Sequence, residues 1–243
     1  MTETGTLFGV GTGPGDPELL TLKAVDVIKR ADVLAYFAKR GNSSNARRIA
    51  EKYVPSGIEE VPLLYPVTTE LSKHCEAYKS QIAEFYDRSS EELAAHLASG
   101  KSVAVLSEGD PLFYGSYMHI HVRLAQRFRT EVVPGVTAMS GCWSQAETPI
   151  AQGDDITTVL PGTIAEDLLT RKLENSEAVI IMKVGRNLAK IRRALETTGR
   201  LSSAVYVERA TMSNGFTVPL ADKSGDDAPY FSIVLVPGWG AHP

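Results

Sequence analysis

Cysteine is scarce in this chain of 243 residues, which contains only Cys75 and Cys142. Two thiols cannot form the set of disulfides that holds small secreted domains together, so we expect two reduced cysteines in a cytoplasmic protein. No apolar run approaches the roughly 18 residues that a membrane-spanning helix needs. The first residues also lack a basic segment followed by a long apolar one, which predicts that no signal peptide is present.

Basic residues are not in excess either, since 25 Lys and Arg stand against 29 Asp and Glu. The formal net charge of −4 argues against broad nucleic-acid binding, which needs clustered Lys and Arg. Histidine is also rare, and His119 and His121 would diverge on a helix, so we expect no metal site. The 43% of hydrophobic residues is typical of a globular protein with one large domain or two small ones.

In the first half of the chain, short apolar runs alternate with amphipathic segments. Predicted strands at 6–11, 32–37, 59–67, 102–111 and 130–135 alternate with predicted helices at 16–31, 43–54, 70–100 and 114–127. This alternation predicts an α/β fold with right-handed parallel crossovers. Asp16 and Pro17 are typical of a helix start, while Pro62 and Pro66 favour a sheet edge or a loop.

The second half has a different pattern, with more strands than helices. Strands are predicted at 155–162, 177–185, 203–211 and 230–238, and helices at 137–147, 165–174 and 187–198. A Gly-, Asp- and Ser-rich segment, 213–229, separates the last two strands, which we expect to pair antiparallel. Pro134–Gly135 ends a strand before a new helix, so we predict an N-terminal α/β domain at 1–135 and a C-terminal α/β domain at 136–243.

The stretch GVGTGPGD, residues 9–16, follows the first predicted strand and precedes a helix, which is the outline of a dinucleotide-binding loop. That fingerprint needs glycine at its sixth position, which is Pro14 when counted from Gly9 and Asp16 when counted from Gly11. No Gly-Lys-Ser/Thr ending follows, so a P-loop is excluded as well. The loop is therefore suited to close backbone approach by a ligand other than a pyrophosphate, unless it is only a tight turn.

Two further loops also follow predicted strands. LSEGDPLFYGS offers the carboxylates of Glu108 and Asp110, which suit ribose hydroxyls, an amine or a sulfonium, although a solvated acidic turn would have the same composition. VVPGVTAMSGC leads into a helix rich in small residues, which would admit a flat group or allow close helix packing. Because ligands gather at the carboxyl ends of parallel strands, three such loops favour one shared cleft.

The three motifs, in this order and spacing, resemble those of the tetrapyrrole methyltransferases, the S-adenosylmethionine-dependent enzymes of sirohaem and cobalamin synthesis. With the segments IIMKVGRN and AVYVERAT, the resemblance covers nearly the whole chain. It implies two α/β domains with the active site in the trough between them, and a homodimer. The long first motif, the chain length and LLYPVTT most resemble members that methylate precorrin-2 at C-20 to give precorrin-3A. A cobalt-containing analogue or another precorrin carbon is the alternative.

The resemblance also implies which residues bind S-adenosylmethionine and release S-adenosylhomocysteine. The matching positions are Pro14, Glu108, Gly109, Asp110, Phe113, Thr137, Ala138, Val184 and Ala210. Because the methyl donor is a sulfonium, catalysis is mostly positioning of the methyl group, and a base is needed only to remove a proton afterwards. No catalytic residue is assigned, since the aspartate that follows the second-strand tyrosine in uroporphyrinogen III methyltransferases is replaced here by Phe37, after Tyr36.

The implied substrate carries many acetate and propionate groups, and basic residues near predicted strand ends are candidates to pair with them. These candidates are Lys39, Arg40, Arg47, Arg48, Lys183, Arg186 and Arg209. The rival interpretation is a module that binds a nucleotide-like ligand without chemistry, which would account for the lack of an obvious acid or base. An NAD-type dehydrogenase is disfavoured because the glycine fingerprint fails from both starting points.

Overall fold

The computed structural model describes residues 4–66 and 76–238, and the chain divides into two compact units, Met1–Thr137 (unit 1) and Ala138–Pro243 (unit 2). Each unit combines a five-stranded sheet with helices, which confirms the predicted α/β class. The predicted domain boundary between residues 135 and 136 stays a prediction.

Strands and helices alternate along unit 1, as the sequence pattern predicts. The described strands are β1 (Leu7–Gly11), β2 (Val33–Lys39), β3 (Glu59–Tyr65), β4 (Val103–Ser107) and β5 (Thr130–Val133). The described helices are α1 (Leu22–Arg30), α2 (Asn45–Ala50), α3 (Glu76–Ala98) and α4 (Tyr117–Leu124). Residues 67 and 70–75, which belong to two of the predicted elements, lie outside the described residues.

The sheet of unit 1 is parallel throughout its described pairings, in the order β3-β2-β4-β1-β5. This order confirms the predicted parallel sheet and places β3, which contains Pro62, at an edge. Every residue of β1 is buried, and alternate side chains enter different cores: Leu7 packs on one face, Phe8 and Val10 on the other. Since parallel strands point the same way, the loops after β1, β4 and β5 leave the sheet at one edge.

The prediction of a single helix over residues 16–31 is wrong at its start. Pro17–Leu19 form one 3₁₀ turn, and the side chain of Asp16 caps it by accepting a hydrogen bond of 2.8 Å from the second amide of the turn. Helix α1 begins only at Leu22, where the Thr21 hydroxyl accepts a hydrogen bond of 3.1 Å from an amide of the first helical turn. The second N-cap therefore sets the helix start, despite the continuous apolar periodicity.

Unit 2 contains a mixed sheet in the order β6-β7-β10-β8-β9. Its described strands are β6 (Thr157–Pro161), β7 (Ala178–Met182), β8 (Val205–Glu208), β9 (Phe216–Pro219) and β10 (Ser232–Val236). Its described helices are α5 (Ala138–Gln145), α6 (Glu166–Glu174) and α7 (Leu188–Thr197). Strand β10 pairs antiparallel with β8, which confirms the expected pairing of the last two predicted strands.

Strand β9 was not predicted, because it lies in the polar segment 213–229. It pairs antiparallel with β8 at the edge of the sheet, and only partly buries its side chains. Strands β7 and β8 both run antiparallel to β10, and β6 runs parallel to β7. The carboxyl ends of β6, β7 and β8 therefore share one edge of this sheet, and that edge carries two of the predicted site residues.

Helix α3, with 23 residues, is longer than the other described helices but carries many charged side chains. Within residues 4–66 and 76–238, no helix combines the length and the apolar character that crossing a membrane requires.

Helix α6 offers a matched test of the unit 2 core, because two adjacent leucines differ in burial. Leu169 is fully buried in the core, whereas Leu168 is 36% exposed. We expect Leu169→Ala to lower the free energy of unfolding by about 2–5 kcal/mol, since it leaves a cavity. Leu168→Ala should cost less than about 1 kcal/mol. Urea denaturation of both variants measures the difference, and equal losses would contradict the assigned face of α6.

Candidate functional site

Three loops of unit 1 meet at the carboxyl edge of its sheet: the first loop (residues 11–16), the second loop (107–116) and the third loop (134–137). The Gly109 amide donates a hydrogen bond of 2.9 Å to the Gly13 carbonyl, and the two residues form an isolated antiparallel bridge. The Thr12 hydroxyl donates to the Ser107 carbonyl at 3.1 Å. These bonds confirm that the first two predicted loops lie side by side.

The backbones of all three loops touch at what we call the three-glycine contact, formed by Gly11, Gly109 and Gly135. A Cβ atom added to Gly135 would lie 2.1 Å from the Gly109 carbonyl oxygen and 2.9 Å from the Gly11 Cα. A Cβ atom on Gly11 would lie 2.6 Å from the Gly135 Cα. Because the neighbours on each side are backbone atoms, which have no free rotamers, only glycine fits at these two positions.

Asp110 fastens the second loop to the third. Its Oδ1 atom accepts a hydrogen bond of 2.9 Å from the Leu112 amide, and its Oδ2 atom accepts one of 3.2 Å from the Gly135 amide. The sequence-based hypothesis gave this carboxylate to a ligand, but two backbone donors of the protein already engage it. The loop geometry therefore depends on Asp110 whether or not a ligand also contacts it.

Glu108 directly follows β4, and its carboxyl is surrounded by protein atoms although part of the residue reaches solvent. Burial by the surrounding protein raises the pKa of its carboxyl, while a hydrogen bond from Asn45 and the charge of Arg48 act in the opposite direction. Arg48 donates a hydrogen bond of 2.6 Å to the Asn45 side-chain oxygen, so the amide nitrogen of Asn45 is the group left to donate to Glu108. A carboxyl with a raised pKa gains from a nearby cation, which makes Glu108 a candidate for binding a cationic group.

The second loop also carries an apolar surface beside these carboxyls. The rings of Phe113 and Tyr114 pack edge to face, with centroids 4.8 Å apart. Tyr114 has a left-handed backbone, with φ of 55°, and like Leu112 it is nearly half exposed. Pro14 of the first loop is partly buried. The predicted positions of unit 1 therefore include backbone, carboxyl and apolar groups at one edge.

In unit 2 the predicted residues Val184 and Ala210 lie among strained backbone positions. Lys183, Arg209 and Thr211 have φ of 55°, 48° and 65°, a region that side-chain-bearing residues rarely adopt. Each such position costs on the order of 1–3 kcal/mol and is typical of functional loops. Val184 and Ala210 themselves are buried between these positions.

The remaining two predicted positions lie where the chain passes from unit 1 to unit 2. Thr137 is the last residue of unit 1 and Ala138 the first of unit 2, where it begins α5 and packs on the apolar cluster that contains Cys142. Both are partly buried.

The sequence did not predict an ion pair that involves Arg47, one of the candidates for binding substrate carboxylates. Arg47 donates from Nε and Nη2 to the two carboxylate oxygens of Glu60, each at 2.9 Å, so this guanidinium is already paired. The Tyr36 hydroxyl lies close enough to Glu60 for the two groups to influence each other's pKa. Arg47 holds the pKa of Glu60 below its usual range, whereas burial and the neighbouring Glu60 raise the pKa of Tyr36. The pairing depends on the position of β3 beside β2, which no local pattern specifies.

Tyr36, Arg47 and Glu60 line a cavity of about 440 Å³ in unit 1. Arg48 lines it too, and the same residue faces Glu108 through its charge. The cavity therefore adjoins the loop edge described above.

The histidines of α4 are separated by their packing. His119 stacks on the ring of Tyr86, with centroids 4.1 Å apart, while His121 contacts the Tyr117 hydroxyl at 3.3 Å. In the described part of the chain, no three His, Cys, Asp or Glu side chains are grouped as a metal site requires.

Comparisons with known proteins give matches over most of the chain. A sequence model of the family described as Tetrapyrrole (Corrin/Porphyrin) Methylases matches residues 6–222. The chain is 64% identical to a precorrin-2 C(20)-methyltransferase of a Sinorhizobium species, over 98% of both proteins. It is 47% identical to the cobalamin biosynthesis protein CobIJ of Mycobacterium tuberculosis, over 98% of this chain and 47% of that protein. It is 27% identical to a cobalt-precorrin-2 C(20)-methyltransferase of Salmonella typhimurium, over 96% of both.

Solved structures share the fold at lower identity. A cobalt precorrin-4 methyltransferase superposes with a TM-score of 0.73 at 22% identity, over 98% of this chain and 96% of that one. A uroporphyrin-III C-methyltransferase of Thermus thermophilus, complexed with S-adenosylhomocysteine, has a TM-score of 0.66 at 22% identity, over 98% of this chain and 100% of that one. At these identities the likeness extends to the fold alone.

The three-glycine contact predicts that Gly135→Ala is severely destabilising. The added Cβ would collide with the backbone of two other loops, and we expect a loss of about 3 kcal/mol or more in the free energy of unfolding, the upper end of overpacking costs. Gly115→Ala in the second loop is the matched control, because its nearest backbone atom would be 3.2 Å away. Urea denaturation compares the two variants, and similar small losses in both would contradict the contact.

The strain at Thr211 predicts that a glycine there stabilises the protein. Thr211→Gly should raise the free energy of unfolding by about 1 kcal/mol, because glycine adopts a positive φ without steric cost. Thr157→Gly, on an exposed position of β6, should instead lower it by about 0.5–1 kcal/mol. Thermal and urea unfolding measure both changes. A loss in both variants would show that Thr211 is not strained.

Proposed function

Because the chain belongs to the tetrapyrrole methylase family, we propose that it is an S-adenosylmethionine-dependent methyltransferase of cobalamin biosynthesis that methylates precorrin-2 at C-20 to give precorrin-3A. The observation that carries this proposal is the 64% identity, over nearly the full length of both proteins, to the Sinorhizobium enzyme of that name. The three motif loops, which the fold brings to one sheet edge in unit 1, support it.

The residues present fit the proposed methyl donor. S-Adenosylmethionine supplies an electrophilic methyl group on a sulfonium and also carries a cationic amine. A nearby cation would stabilise the charged form of the Glu108 carboxyl, whose pKa burial raises. Gly109 and the residues beside Val184 and Ala210 have positive φ, a backbone geometry that is typical of ligand-binding turns.

We propose the full set of predicted positions as cofactor-binding residues. In unit 1 these are Pro14, Glu108, Gly109, Asp110, Phe113 and Thr137, and in unit 2 they are Ala138, Val184 and Ala210. Asp110 acts by holding the second and third loops together, whereas Glu108 offers its carboxylate directly. Most of the set therefore works through backbone groups and small side chains, which position the donor rather than take part in proton transfer.

Sequence similarity and the side chain of Phe37 favour precorrin-2 over uroporphyrinogen III as the substrate. A chloroplastic uroporphyrinogen III methyltransferase of Arabidopsis thaliana is 34% identical over 64% of this chain, a lower identity than that of the Sinorhizobium enzyme. Phe37 stands at the position of the aspartate of uroporphyrinogen III methyltransferases, and here its ring packs against Tyr65 and Phe85. The cobalt-containing substrate is the alternative, because the Salmonella relative of lower identity is named for it.

The proposal includes a homodimer in the cytoplasm, with S-adenosylhomocysteine as the released product and no nucleic acid, membrane or resident metal as partner. Catalysis requires the methyl group in line with the nucleophilic C-20, followed by loss of a proton from that carbon. No side chain is proposed as the base.

The proposal predicts transfer of labelled methyl from S-adenosylmethionine to precorrin-2 under anaerobic conditions, with one methyl added per macrocycle. Mass spectrometry counts the methyl groups, and carbon-13 NMR assigns the carbon. Uroporphyrinogen III, offered in parallel, should remain unmethylated. Tight binding of S-adenosylmethionine without transfer to any tetrapyrrole would instead favour a binding module, and a label at another carbon would correct the substrate position.

A further inference from the structure

The turn that follows β8, residues 209–211, contains two backbone positions that side-chain-bearing residues rarely adopt. Arg209 and Thr211 have φ of 48° and 65°, and Lys183, which directly follows β7, has φ of 55°. Strands β7 and β8 both run antiparallel to β10, so the three residues lie at one edge of the unit 2 sheet. Strained positions persist only where surrounding contacts hold them, and they are most common at ligand-binding sites.

Hydrogen bonds hold the backbone of this turn on both sides of Ala210. The Arg209 amide donates a bond of 2.8 Å to the Phe231 carbonyl, directly before β10. The Thr211 amide donates one of 3.3 Å to the side-chain oxygen of Gln145, the last residue of α5. The turn is therefore tied to the sheet at its start and to a helix at its end.

Three side chains in series fix the first residue of the turn. The Tyr206 hydroxyl donates a hydrogen bond of 2.7 Å to Glu208 Oε2, and Arg209 Nη1 donates one of 2.6 Å to Glu208 Oε1. Tyr206 is fully buried in the unit 2 core, and only 17% of the Glu208 side chain is exposed. Burial raises the pKa of Tyr206, so its hydroxyl keeps the proton that it donates. Glu208 thus links the guanidinium of a strained residue to an anchor in the core.

Both the strain and the ion pair of this turn cost stability. Glycine at 209 and 211 would adopt a positive φ without steric cost. Apolar side chains in place of a largely desolvated ion pair are often as stable or more so. The chain therefore keeps a particular shape at this turn although a more stable one is available, which is typical of loops that bind a ligand.

We propose that Glu208 is a positioning residue for cofactor binding, and that with Tyr206 and Gln145 it holds the turn in the shape that places Ala210 against S-adenosylmethionine. This inference rests on the proposed function, in which Ala210 is a cofactor-binding residue. If φ at Arg209 relaxed to an ordinary negative value, the peptide group between that residue and Ala210 would move relative to the sheet. Glu208, Tyr206 and Gln145 therefore act through the turn.

Calorimetric titration with S-adenosylhomocysteine tests the role of Glu208. Glu208→Leu loses both side-chain contacts and should weaken binding about tenfold. Glu208→Gln keeps an oxygen for Arg209, and its amide can donate to the Tyr206 oxygen, so binding should stay within about threefold of wild type. Glu196→Leu, at an exposed position of α7, is the matched control and should bind as wild type does. Equal affinities of Glu208→Leu and Glu196→Leu would overturn the proposal.

Steady-state kinetics with precorrin-2 distinguish positioning from a loss of folded protein. Glu208→Leu should raise the KM for S-adenosylmethionine by a factor similar to its loss of affinity, while the KM for precorrin-2 stays unchanged. A purely structural defect would lower kcat through the fraction of folded enzyme and leave both KM values as they are. That second result would overturn the positioning role.

A second substitution tests whether the contacts serve to hold strained backbone. Glycine at 209 removes the strain and so makes the contacts dispensable. Glu208→Leu combined with Arg209→Gly should therefore bind S-adenosylhomocysteine within about threefold of wild type. Glu208→Leu combined with Arg209→Ala keeps the strain and should remain about tenfold weaker than wild type. Equal affinities of the two double variants would contradict the proposal.

The outcomes separate this inference from the proposed function. If wild-type protein binds S-adenosylhomocysteine and methylates precorrin-2, but the variants bind as wild type does, only the inference fails. If wild-type protein binds neither S-adenosylmethionine nor S-adenosylhomocysteine, the proposed function fails and the inference with it. Thermal unfolding identifies the variants that fold. Should Glu208→Leu not fold, Gln145→Ala replaces it, since Gln145 is exposed, and unchanged binding by that variant would overturn the proposal.

Discussion

The three-glycine contact is the constraint on which the candidate site of unit 1 depends. Gly11 ends β1, while Gly109 and Gly135 lie two residues beyond β4 and β5, the neighbours of β1 in the parallel sheet. Their backbones are too close for a side chain to enter. Because no side chain separates the loops, their peptide groups and the residues that follow are held within a few ångströms of one another. Phosphate binding also uses glycines after a first strand, but here the glycines serve contact between loops, and the Gly13–Gly109 bridge continues it.

Carboxyl groups near this edge have different functions because their neighbours differ. Asp110 accepts two backbone amides and ties the loops together, and Glu60 is paired with Arg47. Glu108 is a carboxyl whose pKa is raised, so it gains from a cationic ligand. The sequence offered Glu108 and Asp110 alike as ligands and did not point to Glu60, and only the partners of these carboxyls distinguish structural from ligand-binding roles.

Much of the fold was predictable because its signals are local. Buried runs such as those of β1 and β4, and the glycines after them, predict strands and loops without any knowledge of neighbours. The start of α1 was predicted too early, since the cap at Thr21 competes with the equally good cap at Asp16. Strand β9 was missed because an edge strand with little burial is defined by its pairing. The Arg47–Glu60 pair was missed for the same reason, since it depends on which strand lies beside β2.

In the middle of β2, two consecutive side chains point to opposite faces of the sheet and so meet different surroundings. Tyr36 faces the α2 side, where it meets Glu60, whereas Phe37 faces the α3 side, within 5.8–6.4 Å of the rings of Tyr65, Phe85 and Tyr86. A carboxylate in place of Phe37 would enter this aromatic cluster, and its desolvation would cost several kcal/mol or protonate it. The packing of β2 against α3 therefore disfavours an acid at that position. On the opposite face of the strand, Tyr36 lines the cavity together with the ion pair of Arg47 and Glu60.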